Sequence, residues 1–222
     1  MVILVGCGIK NSFVYIFIIK INSTMNKENL NLLFDFIQNK EGKQIPLLWK
    51  WKNNIPLTKK DLNIKGDLNL SETPIESLPN GLVVSGDLIL SECESLRSLP
   101  EGLKVGGSLD LSYSLHLDSL PNGLVVGGDL ILSGCESLDS LPEGLKVGGY
   151  LHLDNSDVYE LPKGLEVGGD LIVANSGLEE YSDKKLRKMI QPGFIKGKIF
   201  YNDEDAASDD DDYDDEEEDD DY

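Results

Sequence analysis

A repeat of about 21 residues dominates the sequence and restricts the folds open to it. The pair Leu-Pro recurs at residues 78–79, 99–100, 120–121, 141–142 and 161–162, at spacings of 21, 21, 21 and 20. A glycine also precedes each Leu-x-Leu or related pair by two residues, and it recurs with the same spacing from Gly66 to Gly169. Self-similarity at such a short period indicates a solenoid, in which each repeat forms one coil.

Leucines two residues apart recur in the copies, as in Leu88 and Leu90 or Leu130 and Leu132. This spacing places both side chains on one face of a short strand. One coil is too small to bury its own leucines, whereas stacked coils bury them in a continuous core. We therefore predict a mainly β repeat solenoid of about six coils of ~21 residues, with a parallel sheet.

Glycine pairs precede most of these strands, for example Gly106-Gly107 and Gly148-Gly149. Their conformational freedom suits a tight corner at which φ is positive. A longer period of 42 overlies the short one, because residues 77–84 are identical to residues 119–126. That period indicates duplication of a two-coil unit and carries no functional information.

Residues 130–145 read Leu-Ile-Leu-Ser-Gly-Cys-Glu-Ser-Leu-Asp-Ser-Leu-Pro-Glu-Gly-Leu. This run resembles a leucine-rich repeat of the Leu-x-Leu-Ser-Gly-Cys-x-x-Leu-x-x-Leu-Pro type found in plant and bacterial proteins, and the resemblance extends over residues 61–181. Glycine or another small residue replaces the family's leucine three residues before Leu-x-Leu, and a valine such as Val105 lies one step earlier. The departure favours a flattened, two-sided solenoid over a strongly curved horseshoe. In composition the chain is also similar to repeat proteins of amoebae and their giant viruses.

The segments on either side of the repeats differ in composition. Residues 1–24 are apolar but contain no run of the roughly 20 residues needed to span a bilayer, so we interpret them as an extension outside the folding unit, with a membrane anchor as the alternative. Residues 25–60 are predicted to form a helical N-terminal cap. Residues 182–202 are predicted to form a C-terminal cap of a short helix and a closing strand.

The net charge of −20 is unevenly distributed, because residues 203–222 contain 15 acidic and no basic residues. This composition predicts a disordered acidic tail. The tail can serve solubility, attract basic partners, or cover the basic helix at residues 184–188. The remainder of the chain has no basic surplus, so direct nucleic-acid binding is not expected.

The three cysteines, Cys7, Cys93 and Cys135, form no disulfide framework, which fits a reducing compartment. We predict a cytoplasmic protein, in the host cytoplasm if the chain is viral. Cys93 and Cys135 share one column of the repeat with serines and a threonine, which predicts a small position that caps a turn.

The histidines His116 and His152 lie in different columns and lack the spacing of a metal site or catalytic triad. No cofactor, metal or enzymatic activity is predicted.

Two columns of the repeat are predicted to face outward beside or within the Leu-x-Leu strand. One contains acids interrupted by Ser108 and Tyr150, interpreted as solvated carboxylates or, alternatively, a cation site. The other alternates isoleucine with polar residues; it is an open binding face, or it is core if residues 25–60 cover it. The candidate binding residues are Asp87, Ile89, Asp110, Asp129, Ile131, Tyr150, His152, Asp170 and Ile172.

These observations predict a non-catalytic, protein-binding repeat scaffold that presents a sheet face to an unknown protein partner. The first alternative is a structural or self-assembling component of a larger particle. A carbohydrate-active enzyme on a solenoid is the second alternative. Such a site needs carboxylates clustered at one place, whereas the acids of this chain are periodic.

Overall fold

The computed structural model describes residues 50, 51 and 57–202. The apolar extension, nearly all of the predicted N-terminal cap and the acidic tail lie outside these residues. The chain divides into two compact units between Leu62 and Asn63. The described part of the second unit is a parallel β-solenoid, which confirms the fold class that the repeat predicts.

Each coil contributes two strands of two residues, separated by three residues. The first strands form one seven-stranded sheet: β1 (Asn63–Ile64), β3 (Val83–Val84), β5 (Lys104–Val105), β7 (Val125–Val126), β9 (Lys146–Val147), β11 (Glu166–Val167) and β13 (Phe194–Ile195). The second strands form another: β2 (Leu68–Asn69), β4 (Leu88–Ile89), β6 (Leu109–Asp110), β8 (Leu130–Ile131), β10 (Leu151–His152), β12 (Leu171–Ile172) and β14 (Ile199–Phe200).

Equivalent residues of successive coils pair with each other in both sheets. Val84 pairs with Val105 in the first sheet, and Leu88 pairs with Leu109 in the second. All of these pairings are parallel, so every position of the repeat becomes a column of neighbours spaced by about 4.8 Å.

The core lies between the two sheets and the leucines of the returning segment. Valines of the first strands and leucines of the second strands point inward, and Val126, Leu130 and Leu132 are all essentially inaccessible to solvent. Leu138 and Leu145 complete the same coil from the returning side and are equally buried. Each fully buried leucine contributes about 1.5–3 kcal/mol, so the stacked columns supply the main stabilisation.

The first sheet is a feature that the sequence does not reveal directly. The Leu-x-Leu spacing predicts only the second strand of each coil, whereas Val84 and its equivalents form a second set of strands. These valines take over the burial that the missing leucine provides in the resembled family. Two sheets per coil agree with the two-sided solenoid that the departure favours.

The glycine pairs between the strands do not adopt the positive φ expected of them; at this corner a positive φ, of +98°, occurs at Gly66, the single glycine of the first coil. The second glycine of each pair is needed because a side chain of the preceding coil lies against it, and at Gly107 and Gly149 that side chain is an aspartate. A Cβ on Gly149 would lie 1.9 Å from Asp129 Oδ1, and one on Gly107 would lie 2.1 Å from Asp87 Oδ1. Contact between coils, and not backbone conformation, therefore excludes larger residues here.

The first glycine of each pair has a related explanation. A Cβ on Gly148 would lie 2.1 Å from the carbonyl oxygen of Gly127, and one on Gly168 would lie 2.1 Å from that of Gly148. Backbone from one coil thus packs directly on backbone from the next. Positive φ belongs to another position, the glycine of Leu-Pro-x-Gly, where Gly102 and Gly144 have φ of +75° and +73°.

The predicted C-terminal cap is more complete than a helix and one closing strand. The helix α1 (Asp183–Met189) is followed by both β13 and β14, which form a seventh strand pair. Val167 pairs with Ile195, a step of 28 residues, because the helix is inserted into this last coil. The guanidinium of Arg187 donates hydrogen bonds to the carbonyl oxygens of Ile195 and, at 2.7 Å, Gly197, and so joins the helix to β13.

We predict that Gly149→Ala destabilises the protein by about 2 kcal/mol, because the added methyl group overlaps the Asp129 carboxylate. Removing that carboxylate with Asp129→Ala relieves part of the overlap. The double variant is therefore expected to be more stable than the sum of the two single effects indicates. Urea unfolding of the four proteins tests this coupling, and strict additivity would contradict the explanation.

The first unit is described only near its end, where Asp61 is held by several donors. Its carboxylate accepts a hydrogen bond from Lys50 Nζ at 2.6 Å and bonds from the N–H and hydroxyl of Thr58 at 2.8 and 2.7 Å. Burial by itself raises the pKa of Asp61. The hydrogen bonds and the positive charge of Lys50 outweigh burial and lower this pKa to about 2.

We predict that Lys50→Met raises the pKa of Asp61 towards its ordinary value of about 4. Because the folded-state pKa is depressed, this interaction stabilises the folded segment above pH about 4, and the stabilisation is lost as the pH falls towards 2. An NMR titration of the Asp61 carboxyl carbon measures the change. Lys59→Met, which removes an exposed lysine, is the control; equal titration midpoints in both variants would refute the assignment.

Candidate functional site

The outward-pointing residues of the second sheet form a single row, which we call the outer row. Parallel pairing aligns one residue from each coil, so that neighbours in the row belong to neighbouring coils. In order, the outer row consists of Asn69, Ile89, Asp110, Ile131, His152, Ile172 and Phe200. It contains five of the nine predicted binding residues, in the column that the sequence assigned to them.

The isoleucines of the outer row do not have the same exposure. Ile89 and Ile131 are half-buried, whereas Ile172 is only 5% exposed. Ile172 is therefore core, and the open isoleucines are two rather than three. Of residues 25–60, which the sequence offers as a possible cover for this face, only residues 50, 51 and 57–60 lie in the described part of the chain.

Polar members of the outer row are held in place by the turn that follows the strand. Asp110 Oδ1 accepts hydrogen bonds from the N–H and the hydroxyl of Ser112, at 2.9 and 2.6 Å. Asn69 Oδ1 accepts the equivalent pair from Ser71, at 2.9 and 2.8 Å. These side chains already have fixed orientations, so a partner would not have to order them.

His152 and Tyr150 add aromatic surface near the C-terminal end of the row. Their rings meet edge to face with centroids 6.4 Å apart, and Tyr150 remains 45% exposed. The Nδ1 atom of His152 lies 3.8 Å from Asp154 Oδ1. His116, the other histidine, is exposed elsewhere in the repeat, so the structure does not bring the two together.

The predicted acidic column runs beside the second sheet, at the corner between the strands, and has a structural task. The Asp129 carboxylate accepts the N–H of Tyr150 at 2.8 Å, and the Asp87 carboxylate accepts the N–H of Ser108 at 2.8 Å. Asp170 does the same for the N–H of Lys198 at 2.6 Å. Each acid thus binds a backbone donor of the next coil. The sequence interpreted these residues as solvated acids; they remain exposed or half-buried, and their hydrogen bonds add a role in the stacking of the coils.

Ser108 replaces an acid in this column but makes the same hydrogen bond to the next coil. Its hydroxyl oxygen accepts the N–H of Asp129 at 3.0 Å, which is the same contact made by the aspartates. Within residues 50–51 and 57–202, no group of three or more His, Cys, Asp or Glu side chains is arranged to hold a metal ion. The cation alternative therefore has no cluster to support it in this region.

The column of small residues containing the cysteines caps turns, as the sequence predicts. Cys135 Sγ donates to the Leu111 carbonyl at 3.2 Å, and Ser156 Oγ donates to the Leu153 carbonyl at 2.6 Å. Cys93 and Cys135 are buried free thiols. Burial raises the pKa of Cys135 to about 12, so this thiol is not an activated nucleophile.

The outer face of the first sheet was missed by sequence reasoning. Val125 is 51% exposed there, and Lys146 Nζ bonds to Glu166 Oε1 at 2.8 Å between adjacent coils. The available signal was the residue before each inward valine, which must point outward if the segment is a strand. The column begins with an asparagine, alternates valine and lysine from Val83 to Lys146, and ends with a glutamate and a phenylalanine.

No protein-family model matches the chain, and no match is found among curated proteins or solved structures. The resemblance to leucine-rich repeats therefore stays a prediction from the repeat itself. Among the residues that the structure describes, no helix has the length and apolar character needed to cross a membrane.

We predict that Asp129→Ala destabilises the protein by about 1 kcal/mol, because the N–H of Tyr150 loses its acceptor. Asp129→Ser should cost clearly less, since Ser108 shows that a hydroxyl can make the same contact. Urea unfolding of the two variants beside the parent provides the comparison. If alanine and serine were equally tolerated, the acidic column would have no stacking role.

Proposed function

We propose that the protein is a non-catalytic binding scaffold that presents the outer row of its second sheet to a protein partner. One observation carries the proposal: Asp110, Ile131 and His152 occupy neighbouring coils in strict register, so apolar and polar groups alternate along a regular surface. Regular spacing of about 4.8 Å matches side chains on an extended partner surface more naturally than it matches a small molecule.

The rigidity of the row supports binding without rearrangement. Asp110 is fixed by Ser112 and Asn69 by Ser71, while the parallel pairing fixes the backbone. Association with a pre-ordered surface loses less side-chain entropy than association with a mobile one. This argument favours the outer row over the mixed surface of the first sheet.

Charge indicates the kind of partner that suits this scaffold. Residues 61–181 contain 21 acidic and 5 basic residues. A partner with apolar side chains flanked by lysines or arginines complements such a surface, whereas nucleic acid does not. Buried free thiols at Cys93 and Cys135 agree with a reducing compartment, and we propose the cytoplasm.

The experiment that tests the proposal uses affinity capture with full-length protein, followed by identification of the partners by mass spectrometry. The variant Ile89→Asp/Ile131→Asp places charges on the two open isoleucines and leaves buried Ile172 intact. We expect recovery of direct partners to fall roughly tenfold or more, as for central residues of an interface.

The matched control is Val83→Asp/Val125→Asp. It introduces the same charges into the same two coils, on the outer face of the first sheet. Equal losses in both variants would count against the outer row as the binding face. Recovery of the chain itself as the main captured species, with a mass that rises with concentration, would instead favour the self-assembling alternative.

A further inference from the structure

Charge is divided along this chain far more sharply than its net value suggests. Residues 61–181 contain 21 acidic and 5 basic residues, whereas residues 182–202 contain 1 acidic and 6 basic residues. Residues 203–222 then contain 15 acidic residues and no basic one. A short basic segment thus separates the acidic coils from the acidic tail.

The last coil gathers the basic residues of this segment. Lys184, Arg187 and Lys188 of α1 line one shallow surface depression. Arg187 also binds the carbonyls on both sides of Lys196, those of Ile195 and Gly197. Arg187 therefore connects the helix, which carries Lys184 and Lys188, to the segment between β13 and β14, which carries Lys196. We call Lys184, Lys188 and Lys196 the basic end patch.

The positive charge of the basic end patch is not neutralised locally. Asp183, the only acid in residues 182–202, bonds to Arg187 Nε at 2.6 Å. Lys185 projects elsewhere, with its Nζ 3.5 Å from the centroid of the Tyr181 ring. No ion pair is formed by Lys184, Lys188 or Lys196 within the described residues, and all three are exposed.

We propose that the basic end patch is a docking surface for the chain's own acidic tail, residues 203–222. The tail begins three residues after β14 ends at Phe200, so it leaves the solenoid at this same coil. Twenty residues can span at most roughly 70 Å, which is ample for a return to the last coil. Such a short tether gives an effective concentration in the millimolar range, so even weak ion pairs are substantially occupied.

Docking of the tail covers the basic end patch. An external acidic segment then binds there only by displacing the tail, because both use the same lysines. The contact is ionic and exposed, so salt weakens it, as the Debye length falls from about 10 Å at 0.1 M to about 3 Å at 1 M. The proposal is independent of the outer row, and either can fail alone.

Carbodiimide crosslinking of the full-length protein tests this proposal, since it joins lysine amines to carboxylates in direct contact. Crosslinks from residues 203–222 are mapped by mass spectrometry at low salt and at 1 M NaCl. An equimolar mixture of ¹⁴N and ¹⁵N protein separates contacts within one chain from contacts between two. We expect crosslinks within one chain, concentrated at Lys184, Lys188 and Lys196, and several-fold fewer at high salt.

The variant Lys184→Glu/Lys188→Glu/Lys196→Glu should lower the total yield of tail crosslinks about tenfold, given the strength of exposed ion pairs. The control Lys65→Glu/Lys104→Glu/Lys163→Glu makes the same charge change at three other exposed lysines and should retain the parent yield. A uniform spread of crosslinks over all exposed lysines, equal losses in both variants, or a majority of mixed-isotope products would each overturn the proposal.

Discussion

The structure depends on direct contact between equivalent backbone segments of successive coils. Gly148 lies so close to Gly127 of the coil before it that a single methyl group would overlap a carbonyl oxygen. This closeness keeps the hydrogen bonds of both sheets in register and brings the inward valines and leucines into continuous columns. The short strands, of only two residues each, are stable because each is paired on both sides along most of the solenoid.

Stacking of the coils places the corner residues of the repeat in one column, in which Asp67 and Asp87 are direct neighbours and Ser108 and Tyr150 separate the acids that follow. At the corner between the strands, each of these acids accepts an N–H group of the next coil, as Asp129 does from Tyr150. Each of these hydrogen bonds joins the side chain of one coil to the backbone of the next. The Gly-Gly-Asp motif is therefore one unit, in which glycine leaves room for the acid that spans the gap.

This assignment changes which surface is available for function. The acids at the corner connect neighbouring coils, so the carboxylates of Asp87, Asp129 and Asp170 are already engaged in hydrogen bonds within the solenoid. The outer row retains free side-chain surface at Ile89, Ile131 and His152, and for that reason the proposed function rests on it. The basic end patch is a separate surface, created because the last coil breaks the acidic pattern of the repeats.

The sequence by itself determined the solenoid, its coil length, the inward leucines and the capped turns at Cys93 and Cys135, because these follow from a period that every copy repeats. It also placed the outer row in the correct column, since alternation along a strand is a local property. Three features were decided only by the tertiary structure: the first sheet, the burial of Ile172 and the joining of α1 to β13 by Arg187. Each depends on contacts between segments distant in sequence, and the spacing of residues within one copy carries no information about the distance to the next.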